Sequence, residues 1–416
     1  MSEPSSGPAA RAATAPGRLA LVDALRGASM LGIMLVNFPT MNTAAGDETT
    51  LYGGVHGALD GAVGALNMAL CNGKFYPIFA LLFGWGLSVQ WRSRRRGGGR
   101  PASYLLRRLL VLLAFGALHI TLVWWGDILL VYALLGLLLV PCLFLEDRAL
   151  LWSAAALLVL VPLASPLLSL LQALGLHAPE AVVLPGLGLP EPSHEVAALV
   201  YAQGRFPEML HQRLLDYLSD FTPFAHQGAS LGALAGYAAY YAQLAGLFLL
   251  GMWAARKDLA ARLAARGPWA RALWTWSALA AAALTALRYA VPGIGERLYY
   301  YQGEALALFY LASFCLAFPR LGAWARPFQA VGRMSLTAYL AHTVAASLLL
   351  YGTGLGLYGR IGPAALLPLS LACYALVAGA CALWMRAFLL GPAEWAWRSL
   401  IDGRLEPLRR GPLTAP

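Results

Sequence analysis

The chain has 416 residues, of which 59% are hydrophobic and only 12% charged, with a formal net charge of +10. A soluble protein of this length carries roughly 25% charged residues, so the composition excludes a soluble globular enzyme and points to a protein solvated by lipid. The positive balance comes from arginines gathered in a few short segments, which suits anionic headgroups and gives no argument for nucleic acid as a partner.

Residues 1–17, rich in Ala, Pro and Ser and without a basic n-region, read as a flexible cytoplasmic lead rather than a cleaved signal peptide. Beyond it, windows of about twenty apolar residues give ten expected spans. They lie near Leu19–Phe38, Ala62–Gln90 with an interfacial first half, Leu105–Trp125, Ile128–Leu145 and Leu150–Leu174. The second set lies near Ala229–Ala255, Ala270–Val291, Gly303–Phe318, Phe328–Tyr351 and Ile361–Met385. The expected fold is all-α, a polytopic integral membrane helix bundle of about ten transmembrane helices. It divides into an N-terminal five-helix half over 18–174, a loop over 175–228, a C-terminal five-helix half over 229–400 and a tail over 401–416. Arginines collect at 92–108, at 256–271, at Arg320 and Arg326, and at 386–410, in alternate loops of that count. The positive-inside rule then places both termini and the tail in the cytoplasm and the 175–228 loop outside it.

In span one, Asp23 and Arg26 are three residues apart, so they share a helix face and can pair, and Asn37 lies near the other end. Snorkelling of Arg26 to the headgroups fits its position equally well. His56, in LYGGVHGALDG, is a loop histidine for which simple solvation is the plainer reading. Lys74, in NGKFYPIFALLFGWG, is costly in lipid and is expected to face a polar cavity or a carboxylate such as Asp60, with Gly84 and Gly86 letting helices approach.

The run from Arg107 to Pro141 sets His119 and Asp127 among about thirty otherwise apolar residues. An imidazole and a carboxylate placed there make a functional-site hypothesis by default. Asp127 also reads as an N-cap for the span that follows Gly126. His119 lies eight residues earlier, so the two meet only if the helix end unwinds. A neutral imidazole there suits general-base chemistry.

The first part of the 175–228 loop is punctuated by prolines and is expected to be irregular. Its second part, HEVAALVYAQGRFPEMLHQRLLDYLSDF, has helical apolar spacing that suits a surface helix or a cover over a cavity mouth. Further on, Arg288 and Glu304 flank a short loop as a candidate ion pair, and Ser335, Tyr339 and His342 share a face that reads as a helix-to-helix hydrogen-bond seam. The five cysteines show no CxxC spacing, so neither a disulfide framework nor a metal site is expected. Glycine- and alanine-rich spans would permit a homodimer.

Several of these stretches taken together, VDALRGASMLGIMLVN, GKFYPIFALLFGWG, LHITLVWWGDILLVYALLGLLLVP, YAQGRFPEMLHQR, VGRMSLTAYL and GPAEWAWRSL, resemble in order and spacing the bacterial YeiB-like membrane proteins. That family is named for a domain of unknown function and is grouped with the transmembrane acyltransferases. The resemblance implies a multi-pass protein of the bacterial inner membrane and acyl-CoA, most simply acetyl-CoA, as co-substrate without a metal. An acyl group would pass to a hydroxyl or amine of a glycan, lipid or small molecule near the outer face. Arg26, in the LRG motif, and more weakly Lys74 would then meet the donor phosphates. His119 and Asp127, in the LH and GD pairs, would be the catalytic pair, with Asn37 holding the acyl carbonyl oxygen. The O-acetyltransferase branch carries a histidine where this chain has Asn37. The glucosaminide acetyltransferase branch carries one in the next outer loop, a place His56 fits. The amide usual at His342 argues against that residue as a catalyst. The reading from another class is a transporter or exporter of a small amphiphile, which midmembrane ionisable groups fit as well.

Overall fold

The computed structural model describes residues 16–44, 57–163, 184–189, 193–225, 228–229, 231–291 and 298–409. The N-terminal half contains α1 (Pro16–Met41), α2 (Ala58–Leu70), α3 (Tyr76–Arg96), α4 (Pro101–Leu122), α5 (Leu129–Leu139) and α6 (Asp147–Ala155). A short antiparallel pairing of Leu184–Pro185 with Gly228–Ala229 brackets α7 (His194–Gln203) and α8 (Phe206–Phe221). The C-terminal half contains α9 (Leu231–Arg256), α10 (Leu259–Ala264), α11 (Pro268–Ala290), α12 (Tyr299–Leu321), α13 (Ala325–Arg333), α14 (Ser335–Leu350), α15 (Pro363–Ala387) and α16 (Pro392–Asp402).

Apart from that two-residue pairing the described chain is helical, and its surface is that of a membrane protein. Helix α4 buries Leu105, Leu109, Leu112, Gly116 and His119 on one face. The same helix turns Leu106, Leu110, Leu118 and Leu122 outward, each between 42% and 58% exposed. A leucine stripe left outside costs free energy in water and none in hydrocarbon. Five stretches are long and apolar enough to cross a membrane: Ala20–Met41, Pro101–Leu122, Leu234–Arg256, Tyr299–Arg333 and Pro363–Ala387. Shorter apolar helices at Ala58–Leu70, Leu129–Phe144 and Ser335–Leu350 accompany them.

Two crossings set the architecture. A Cβ on Gly84 of α3 would meet the backbone of Phe248, and one on Gly251 of α9 would meet that of Leu81, each at 2.0 Å. Likewise Gly27 of α1 lies on the backbone of Phe328, and Gly332 of α13 on that of Asp23. Such reciprocal contacts let two helices pack backbone to backbone, a source of association that does not need water. Gly86, by contrast, faces no neighbour closer than the Gln90 side chain at 4.0 Å and lines open space.

Two expected spans are interrupted. Ala62–Gln90 is two helices, separated at Cys71–Phe75 by a turn that Gly73 makes with φ +80°. Phe328–Tyr351 breaks at Met334, where the Glu394 carboxylate takes the amides of Leu336 (2.7 Å) and Thr337 (3.1 Å) and the Thr337 hydroxyl (2.5 Å). Glu394 thereby caps α14 and ties the GPAEWAWRSL and MSLTAYL segments together. Leu150–Leu174 starts as α6 and a π-helical turn at Ala156–Leu160, and its remainder passes beyond the described residues. The single amphipathic helix expected at 194–221 is two, α7 and α8, divided at Gly204–Arg205.

Candidate functional site

Helix α4 ends at Leu122 because the His119 carbonyl accepts both the Val123 and the Trp124 amides, at 2.9 and 3.0 Å, and the chain from 123 to 128 is irregular. That unwinding brings Asp127 back onto the helix end. His119 Nδ1 lies 2.9 Å from Asp127 Oδ1, both side chains fully buried, with the oxygen out of line with the N–H direction. The other carboxylate oxygen, Oδ2, accepts the Leu130 amide at 2.8 Å in the first turn of α5, so Asp127 holds its histidine and starts its helix at once. His119 Nε2 meets the Thr343 hydroxyl of α14 at 2.8 Å. That hydroxyl also lies 3.1 Å from the carbonyls of Tyr339 and Leu340, and the His119 tautomer decides whether it donates to Nε2 or accepts from it.

Tyr339 completes the group. Its hydroxyl donates to Asp127 Oδ1 at 3.3 Å, and its ring lies between the His119 and His342 rings at centroid distances of 5.1 and 5.3 Å. Asn37 Nδ2 is 3.2 Å from His342 Nε2, whose ring is fixed from the other side by the Ala338 carbonyl, 3.2 Å from Nδ1. The face expected as a seam is therefore a polar contact of α14 with α1, α4 and the 123–128 segment.

A cavity of about 1240 Å³ runs along this group. It reaches along α1 from Asp23 and Arg26 past Asn37 to Thr40, a rise of about 26 Å at 1.5 Å per residue and close to the thickness of a hydrocarbon core. Tyr339 and Asn37 line it, as do Trp124, Trp125 and Gly126, whereas His119 and Asp127 do not. Asp220 and Phe221, the end of α8, also line it. Helices α7 and α8 are held by buried polar contacts: Arg213 donates to the Thr121 carbonyl at 3.3 Å, and Asp216 accepts Tyr201 at 2.6 Å and Gln212 at 2.8 Å. Burial pushes the Asp216 carboxyl above the ordinary range.

One mouth of the cavity is basic and aromatic. Arg26, Arg94, Arg108, Arg333, Arg398 and Arg404 line it with four acids, Asp23, Glu394, Asp402 and Glu406. Arg26 stands 3.4 Å from both Asp23 Oδ1 and the Gly332 carbonyl. The Arg94 guanidinium lies 3.9 Å over the Tyr104 ring and that of Arg108 3.7 Å over Trp397. Stacking of this kind holds a guanidinium while leaving its N–H groups for an anion, and Arg108 Nε has no partner among the described residues. Sequence reading passed over Arg108 and Trp397, because nothing in either segment shows that α4 and α16 meet at this mouth.

Other sequence-predicted positions fall elsewhere. Lys74 is away from the arginine-rich mouth, in the turn that opens α3, whereas Arg92–Arg96 close that helix. Its Nζ donates to the Met68 carbonyl at 2.9 Å and does not pair with Asp60, whose Oδ1 accepts the Ala364 amide at 2.8 Å in the first turn of α15. Arg288 donates to Gln302 Oε1 at 2.7 Å, so the ion pair with Glu304 is not formed. His56 lies outside the described residues. Among the described residues no group of His, Cys, Asp and Glu is arranged to hold a metal ion.

Residues 223–404 match the family described as "Protein of unknown function (DUF418)". The chain is 29% identical over 418 residues to the uncharacterized protein YxaH of Bacillus subtilis, covering 94% of this chain and 96% of that one. It is 27% identical to an uncharacterized 39.9 kDa protein of Bacillus acidopullulyticus, again over 94% and 96%. Against the uncharacterized protein YeiB of Escherichia coli it is 35% identical over 119 residues, 28% of this chain and 29% of YeiB. The matched family region carries Tyr339, His342, Thr343 and Glu394, and the longer matches reach across both halves, so the chain is similar to the YeiB-like DUF418 proteins.

Proposed function

We propose that the protein is an integral membrane acyltransferase of the bacterial inner membrane, about ten spans long with both termini cytoplasmic. It moves an acyl group, most simply acetyl, from cytoplasmic acyl-CoA to a hydroxyl or amine near the outer face. The observation that carries this reading is the cavity, which runs from a mouth of stacked arginines to Tyr339, the hydrogen-bond partner of the buried histidine–aspartate pair, about 16 Å along α4 from Arg108 to His119 at 1.5 Å per residue. Six arginines facing four acids leave this mouth net positive, which suits the phosphates of the donor. The apolar part of the lining, with Phe79, Leu82 and Phe83, suits an extended thioester arm.

At the far end the acceptor's hydroxyl or amine lies against Tyr339 and Asn37. Its proton passes to the Tyr339 oxygen as the tyrosine proton moves onto Asp127, and His119 steadies the carboxylate. The acceptor oxygen or nitrogen attacks the thioester carbon, the Asn37 amide donates to the carbonyl oxygen, and the carbon–sulfur bond breaks to release the thiolate, which takes the proton returned from Asp127 through Tyr339. His119 thus acts from behind Tyr339 rather than on substrate. The test is incubation of purified protein with radiolabelled acetyl-CoA and extracts of membrane lipid and glycan. Label transfer that falls by roughly 10²–10⁴ in His119→Ala supports the reading.

One observation favours the transporter reading instead: His119 Nε2 is taken by Thr343, Nδ1 faces Asp127, and His119 does not line the cavity. In that case substrate crosses unmodified and acyl-CoA is neither bound nor consumed.

A further inference from the structure

Lys74 and Arg288 form a second cluster, away from the arginine-rich mouth, at the turn whose Cys71, Asn72 and Gly73 line the cavity. Lys74 is fully buried, and its ammonium lies 5.6 Å from the centroid of the Tyr299 ring. The Arg288 guanidinium lies 4.9 Å from the same centroid. Their other contacts among the described residues are neutral: the Met68 carbonyl for Lys74, and Gln302 Oε1 and the Tyr289 ring for Arg288. Two cations beside one ring, with no acid pairing either among the described residues, repel each other and are expensive to bury. The ring face offsets only part of that cost.

The surroundings define which anion fits. The Cys71–Phe75 turn is clamped on α12, with the Gly73 carbonyl against Gly303 and a Cβ on Gly73 barred by the Tyr299 hydroxyl at 2.5 Å. The cluster sits where α11 ends and α12 begins, flanked by Tyr289 and Tyr299, at the level where aromatic residues meet headgroups. The α11 surface below it is apolar and exposed at Leu279 and Leu287. Two cations between helices, beside tyrosines and next to an apolar exposed helix surface, suit a phosphate carried by a lipid.

We propose that Lys74, Arg288 and Tyr299 form a binding site for a phosphate group, supplied by an anionic phospholipid headgroup. The experiment places the full chain in vesicles of mixed phosphatidylglycerol and phosphatidylcholine and counts, by native mass spectrometry, the lipids retained on release. Phosphatidylglycerol is expected to be retained in preference, and Lys74→Gln or Arg288→Gln to lower that retention about tenfold, in line with loss of a charge-assisted contact. Arg271→Gln, at the other end of α11, is expected to leave it unchanged. A parallel arm adds inorganic phosphate to protein in neutral detergent: a thermal shift lost in the same variants identifies free phosphate as the source instead. Arg288 is half-buried, so its variant carries the test should Lys74→Gln not fold. Equal retention of the two lipids with no phosphate shift, or retention unchanged in a folded Arg288→Gln protein, overturns the proposal. None of these readouts depends on acyl transfer.

Discussion

Tyr339 is the residue on which the site turns, because it touches both the cavity and the buried carboxylate of the His119–Asp127 pair. Tyr339→Phe keeps the ring between the two histidines and removes the hydroxyl. Acyl transfer is expected to fall by about 10²-fold or more, with donor binding unchanged, as read by kcat against KM for acetyl-CoA. Thr343→Val, which deletes the hydroxyl on His119 Nε2, is expected to cost about 1 kcal/mol in thermal unfolding by leaving a buried polar atom unmet. His119 and Asp127 were legible in the sequence because polar side chains in an apolar run carry a cost that demands a reason. The place of Tyr339 was not. Spacing shows that Ser335, Tyr339 and His342 share a face, but not which helix that face meets.

The elements show the same division. Hydropathy windows find apolar length, and α1, α4, α9 and α15 were legible for that reason. They average over interruptions, so the turn at Cys71–Phe75 and the break at Met334 were invisible. The second of these is imposed by Glu394, 58 residues beyond Leu336. Glu394→Ala is therefore expected to destabilise the protein by about 1–2 kcal/mol, the worth of a helix cap, measured as the unfolding midpoint in detergent. Glycine packing was legible in kind and not in detail: Gly84 is a helix contact, whereas its neighbour Gly86 opens the cavity. Gly251→Leu must push α9 off α3 and is expected to cost at least about 1–3 kcal/mol, whereas Gly86→Ala is expected to leave stability unchanged and to narrow the cavity.

Across the whole molecule, charge is sorted along the cavity, with the arginines at one mouth and the histidine–aspartate group toward the other. Positive charge in loops was readable as orientation, yet sequence gave no level for Lys74, which the turn before α3 carries away from the arginines. Outside the spans, Asp147 takes a hydrogen bond from Lys257 at 2.7 Å and one from Arg256 at 3.3 Å, which hold its carboxyl below the usual 3.8. A depressed carboxyl stabilises above its ordinary value and loses that contribution as pH falls through it. Because the pair is exposed, the loss below about pH 4 is expected to be within 1 kcal/mol and to vanish in Asp147→Asn.

The central claim is that donor and acceptor meet through this cavity from opposite faces. The most direct measurement reconstitutes the protein in sealed vesicles of known orientation, supplies acetyl-CoA to one face at a time and follows free thiol. Thiol release only when acetyl-CoA meets the arginine-rich face, abolished by Tyr339→Phe and by His119→Ala, is the expected result. Release that is equal from both faces, or absent from both while the protein binds no acyl-CoA, would contradict the account.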